Sequence, residues 1–228
     1  MERKPDIKLQ ANGRETRGYL AIPAGNSPRP GVIVIQEWWG LNDNIRDIAD
    51  RFAREGFVAL APDLYYGETA EEPDTARKLA MALEYPDALN VIQSAVNYLI
   101  ALDEVSPKKI GVTGFCMGGG LAWHGAVRLE GVGAVAPCYG GGPEMTLEEA
   151  ARIEVPVLAI YGELDRGVSP EVARQRAELM DAAGVRHETI IYPNAEHAFM
   201  NDRRPVYNPE AAEDAFRRIA DLFRQTLA

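Results

Sequence analysis

Hydrophobic and polar positions along the chain change period in an ordered way. Across 7–22 they alternate around Asn12-Gly13, a dipeptide suited to the positive φ angles of a tight turn, which predicts an opening antiparallel hairpin. The stretch 31–35 is instead an unbroken apolar run rich in β-branched residues, the pattern of a strand buried on both faces. Similar runs recur at 57–61, 110–113, 132–136 and 155–161, with a further strand expected at 188–192. Helical spacing appears between them at 44–54, 88–102, 121–129, 170–183 and 210–227. Strand alternating with helix, over connections too long for hairpins, predicts crossover units and a mostly parallel central sheet flanked by helices, an α/β fold.

One interval breaks the rhythm. The excursion 63–86 carries Tyr65, Tyr66, an acidic cluster and a short helical stretch at 75–83, and reads either as a cap over a site or as an exposed connection. With no linker or repeat in the rest, 1–228 is expected to form a single domain. A formal net charge of −10 opposes nonspecific binding to nucleic acid or anionic membranes, which need clustered positive charge. No apolar run approaches the roughly 18 residues of a membrane span, and 1–10 lacks the apolar region of a signal peptide, so a cytoplasmic protein is expected. Oligomeric partners are not legible. The two cysteines, Cys116 and Cys138, provide neither a disulfide framework nor a paired metal motif.

Cys116 stands out by context. The run 110–113 leads into Gly114-Phe115-Cys116-Met117-Gly118, a G-x-C-x-G sequence between strand and helix. Glycines two before and two after a nucleophile permit the sharp turn that exposes it at the strand end, and the following helix N-terminus favours negative charge. A phosphate loop would carry Gly-Lys-Ser/Thr at such a turn, and none is present. Partners follow in the order nucleophile, acid, histidine: Asp165 lies in the loop after 155–161 and His197 in the loop after 188–192. Glu163 is a rival acid, whereas His124, inside a helix, and His187, at a strand edge, do not fit the order. Cys138, behind Pro137 at a strand end, reads as structural.

The motifs Gln36-Glu37-Trp38-Trp39-Gly40, Ala61-Pro62-Asp63-Leu64-Tyr65, Gly114 to Gly119, Tyr161-Gly162 with Asp165, and His197-Ala198-Phe199 together resemble the dienelactone hydrolase (carboxymethylenebutenolidase) family over nearly the whole chain. The resemblance implies an α/β-hydrolase fold, a triad of Cys116, His197 and Asp165, and no metal or organic cofactor. It also implies a role for Glu37 in forming the thiolate, and an oxyanion hole built from the backbone N–H groups of Trp38 and Met117. Family members clamp a substrate carboxylate with arginines, one on the excursion and one four residues beyond the histidine. Here the second position is Asn201, which leaves Arg77, beside Lys78, and Arg203 and Arg204 as candidates. Trp39 and Tyr139, with Trp38, are candidate pocket walls.

The expected partner is a small ester or lactone. Thiolate is a good leaving group, so a tetrahedral intermediate goes forward most readily when the other group departs as easily; the enolate of an enol lactone does. The expected reaction is hydrolysis of such a lactone through a thioester. The alternatives are a broad carboxylesterase or thioesterase using the same triad, and a noncatalytic binding protein on the same fold.

Overall fold

The computed structural model describes residues 2–25 and 27–227. The proposed domain 1–228 also includes Met1, Asn26 and Ala228, which lie outside the described residues. The chain opens with β1 (Glu2–Ala11) and β2 (Arg14–Ile22), paired antiparallel. Asn12 and Gly13 between them take φ of 54° and 69°, as the expected hairpin turn requires. There follow β3 (Arg29–Ile35), α1 (Asp43–Arg54), β4 (Val58–Pro62), α2 (Pro73–Ala82), α3 (Tyr85–Ala101), β5 (Val105–Phe115) and α4 (Met117–Arg128). The chain ends with β6 (Val132–Cys138), α5 (Leu147–Ala150), β7 (Val157–Gly162), α6 (Pro170–Ala183), β8 (His187–Tyr192) and α7 (Pro209–Thr226).

The eight strands form one sheet in the order β1-β2-β4-β3-β5-β6-β7-β8, parallel from β4 through β8. This is the α/β-hydrolase arrangement, including its antiparallel opening hairpin. Alternation along β3 explains the two-sided burial: Val32 and Val34 enter one apolar cluster, Ile33 and Ile35 the other. The first cluster is closed by Phe52 of α1 and Phe216 and Phe223 of α7; the second by Ile92, Val96 and Leu99 of α3. Fully burying each of these side chains contributes about 1.5–3 kcal/mol relative to exposure, enough to fix which face every strand presents.

Chain order reverses direction in the sheet at the β3/β5 pair: β3 is followed outward by β4, and β5 by β6, β7 and β8 on the other side. The loops leaving the carboxyl ends of β3 and β5 therefore diverge and leave a crevice, the place where open α/β sheets bind ligands. The loop after β3 carries Glu37 and Trp38, and the turn after β5 carries Cys116. No helix among the described residues is long and apolar enough to cross a membrane.

Some boundaries differ from those the sequence predicts. α4 begins at Met117, not near 121, because Gly118 packs on the chain at Gln36, where a side chain would collide. Tertiary contact thus overrides the poor helix propensity of glycine. α3 begins at Tyr85 and claims the end of the excursion, aided by Pro86 in its first turn.

Candidate functional site

Four loops at the carboxyl ends of parallel strands bring the predicted site residues together. Cys116, between β5 and α4, has φ 56° and ψ −114°, a backbone conformation rarely adopted by a residue with a side chain. The turn is held by its N–H, which donates to the Cys138 carbonyl at 3.1 Å, and by the Gly120 N–H, which donates to the Cys116 carbonyl at 3.1 Å. Met117 is the first residue of α4, so its N–H has no carbonyl a turn earlier in the helix.

Asp165 follows β7 and is buried. Its Oδ1 accepts the N–H groups of Gly167 and Val168, both at 2.8 Å, which leaves Oδ2 for His197 Nδ1 at 2.6 Å. That contact requires the proton on Nδ1 and turns Nε2 away from the carboxylate. The rival acid Glu163 is exposed and accepts the Asn194 N–H at 3.0 Å. His124 packs edge-on against Tyr85, and His187 pairs with Asp181. His197 also interacts with Cys116: burial lowers its pKa, but Asp165 and Cys116 together raise it from 6.5 to about 10.

A raised histidine pKa favours the imidazolium. The stabilisation that it brings is complete below the ordinary imidazole value and lost as pH climbs through about 10. Reactivity that depends on this protonated ring is therefore expected to fall along an alkaline limb near pH 10. A pH profile of ester turnover checks this; a limb near the ordinary imidazole value contradicts it.

Glu37 is buried, and its Oε2 accepts the Asn201 side-chain N–H at 2.7 Å. Its Oε1 has no hydrogen-bond partner among the described residues. Burial pushes the Glu37 pKa up against the opposing pull of Asn201, His197 and Arg204, so this carboxylate binds a proton more tightly than an exposed one would. The Glu37 carbonyl accepts the Gly40 N–H at 3.3 Å, and the Trp38 N–H in that same peptide donates to no backbone carbonyl among the described residues.

These groups face a cleft of about 470 Å³ that Glu37, Cys116 and His197 share with Trp38, Trp39 and Arg204. Pro73, Pro205 and Val206 add apolar wall. Trp38 and Trp39 pack edge to face at 5.0 Å, and the Arg204 guanidinium lies 3.9 Å over the Trp39 ring. The excursion contributes α2, whose Ala76 and Leu79 pack on this tryptophan pair. A cavity of similar volume, about 440 Å³, lies between α4 and α6 beside Trp123 and His124, away from Cys116. Chemistry, and not volume, singles out the first.

The other predicted residues lie elsewhere. Arg77 is exposed on α2 near Asp74, and Arg203 is paired with Asp47, both outside the cleft lining. Tyr139 is buried beneath the site, edge-on to His197 at 5.3 Å. Cys138 is buried, its sulfur 3.8 Å from the Ala136 carbonyl and 3.9 Å from the Thr113 hydroxyl, and burial pushes its thiol up to about 12. The contact of Asn201 with Glu37 is not foreseen from sequence, where Asn201 registers only as a missing arginine. No group of three or more metal-ligating side chains occurs among the described residues.

Residues 16–227 match the dienelactone hydrolase family. The chain is 40% identical to "Protein usf" of Aquifex pyrophilus over 229 residues, covering 97% of this chain and 98% of that relative. It is 36% identical to the "Putative carboxymethylenebutenolidase" of Aquifex aeolicus, again over 97% of this chain and 98% of the relative. Its structure resembles the crystal structure of a "Putative Dienelactone Hydrolase" from Klebsiella pneumoniae with a TM-score of 0.89 at 28% identity, covering 97% of this chain and 98% of the other.

Proposed function

This chain belongs to the dienelactone hydrolase family and is a hydrolase, and from that premise we propose that it cleaves activated esters and lactones, dienelactone-type enol lactones first among them, with Cys116 as nucleophile. The observation that carries the reading is the line Cys116, His197, Asp165, closed by the 2.6 Å contact and opening on an apolar cleft.

The Cys116 sulfur, as thiolate, attacks the carbonyl carbon, and the π electrons move to oxygen, where the N–H groups of Trp38 and Met117 receive the charge. Collapse expels the enolate, which takes the proton held on His197, and leaves a thioester on Cys116. The neutral imidazole then takes a proton from water, whose oxygen attacks the thioester. Departure of the thiolate releases the acid and restores the ion pair. Asp165 orients His197 and balances its charge. Glu37 acts before this cycle: its carboxylate takes the proton of the Cys116 thiol when substrate enters, so that Cys116 begins as thiolate.

A second reading, a broad carboxylesterase or thioesterase, is favoured by the lining: among the arginines considered, only Arg204 borders the cleft. The two readings diverge on charge. Arg204→Ala is expected to raise KM for a carboxylate-bearing lactone about tenfold, one charge-assisted contact, with little change for a neutral p-nitrophenyl ester. Steady-state kinetics on both substrates check this; equal KM changes on the two would remove Arg204 as a carboxylate contact. Iodoacetamide provides the test of the proposal itself. Alkylation of the thiol is expected to abolish turnover of both substrates, whereas turnover that survives complete alkylation of Cys116 would sink the cysteine mechanism.

A further inference from the structure

The hydroxyl of Tyr65, in the loop after β4, touches both residues whose N–H groups form the proposed oxyanion hole. It donates to the Trp38 carbonyl at 3.2 Å and lies 3.3 Å from the Met117 sulfur. The side chain is 6% exposed, so this placement is fixed by packing and not by solvent. Burial, reinforced by the nearby charge of Cys116, pushes the phenol pKa well above its ordinary value and keeps the group a donor.

The backbone that carries Tyr65 is anchored independently. Asp63 accepts the N–H groups of Tyr65 at 2.9 Å and Gly67 at 2.7 Å, one on each carboxylate oxygen. The Leu64 N–H donates to the Gln36 side chain at 3.2 Å, and the Ala70 N–H to the Trp39 carbonyl at 2.9 Å. The loop after β4 is thus stitched to the loop after β3 on both sides of Tyr65, and its hydroxyl falls between Trp38 and the first turn of α4.

The two oxyanion donors belong to different elements, a loop after β3 and the start of α4. Stabilisation of a developing oxyanion demands that both point at one spot, and misplacements well under an ångström are costly. We infer that Tyr65 is a positioning residue that holds the Trp38 and Met117 donors in register with each other. Its bond to the Trp38 carbonyl fixes the plane of the peptide next to the donor, and its contact with the Met117 side chain sets that residue against it. This inference rests on the reading of Trp38 and Met117 given above. A merely structural tyrosine would satisfy a buried carbonyl and have no selective effect on catalysis.

The test is Tyr65→Phe, which removes one oxygen, beside Tyr66→Phe as a control on the neighbouring residue, whose hydroxyl contacts Asn12. Thermal melts set a temperature at which all variants are folded. For Tyr65→Phe, kcat on an activated ester is expected to fall about tenfold to a hundredfold, less than removing a donor outright, with KM nearly unchanged. Alkylation of Cys116 by iodoacetamide, which develops no oxyanion, is expected to keep its wild-type rate. Affinity for an aldehyde analogue of the acyl group should fall by a factor similar to kcat, because the sulfur adds to the aldehyde carbon and places negative charge on its oxygen. Tyr66→Phe is expected to match wild type throughout.

Wild-type kcat and aldehyde affinity in Tyr65→Phe would overturn the inference. An equal loss in alkylation and turnover would do so as well, since the defect would then lie in the nucleophile. Failure of the underlying mechanism has a different signature: wild-type turnover would survive alkylation of Cys116.

Discussion

Cys116→Ala is expected to lower kcat/KM on an enol lactone by about 10⁴-fold or more, leaving only what binding and the oxyanion donors can supply. Alanine has a Cβ like cysteine and therefore keeps the strained φ of 56° at this turn, so the loss should be chemical, not structural. Unchanged thermal melting and unchanged binding of a neutral ground-state analogue check that separation. Cys116→Ser is the finer probe. It should fold equally well yet lose most turnover on the enol lactone, because an alcohol is harder to activate than a thiol in the same surroundings. A serine variant as active as wild type on that lactone would remove the proposed thiolate advantage while leaving the triad intact.

Gly114→Ala is expected to damage fold and site together. A Cβ on Gly114 would stand 2.1 Å from the Gly118 carbonyl oxygen and 3.0 Å from Ile35 Cβ. Neither neighbour is the free end of a flexible side chain: one is backbone in the first turn of α4, the other belongs to the adjacent strand β3. Relief requires the turn that bears Cys116 to move away from the loop bearing Glu37 and Trp38. A loss of about 3 kcal/mol or more is expected, seen as a drop of roughly 6–12 °C in Tm for a chain of this length, with little activity in the protein that remains folded. A variant with wild-type melting and activity would mean that β5 and α4 do not meet this closely.

Much of this was legible in the sequence, and the reasons are physical. Unbroken β-branched runs identify strands covered on both sides, as 31–35 does within β3, because a parallel sheet between helix layers has no solvent face. The order of Cys116, Asp165 and His197 is readable because each sits in the turn or loop that follows a strand, and parallel strands deliver their carboxyl ends to one edge. What the sequence does not reveal depends on partners far away along the chain. Arg203 looks as available as Arg204 until α1 brings Asp47 beside it, while Arg204 is folded onto Trp39. Asn201 looks like a lost arginine until it meets Glu37, and Tyr65 looks like one residue of a motif until its hydroxyl reaches Trp38. Tyr139 follows a strand near the site, as a pocket wall would, but its ring packs inward against Phe115, Phe199 and His197. Side-chain direction after a strand end is set by the packing of the next layer, which local pattern does not encode.

The most direct test of the cysteine mechanism is to trap the acyl-enzyme. The protein is mixed with excess p-nitrophenyl ester, quenched in acid during turnover, digested and weighed by mass spectrometry. The expected result is one acyl group on the peptide containing Cys116, removable by hydroxylamine and absent from Cys116→Ala. Sustained turnover with that peptide unmodified, or turnover by Cys116→Ala at the wild-type rate, would contradict the thioester route.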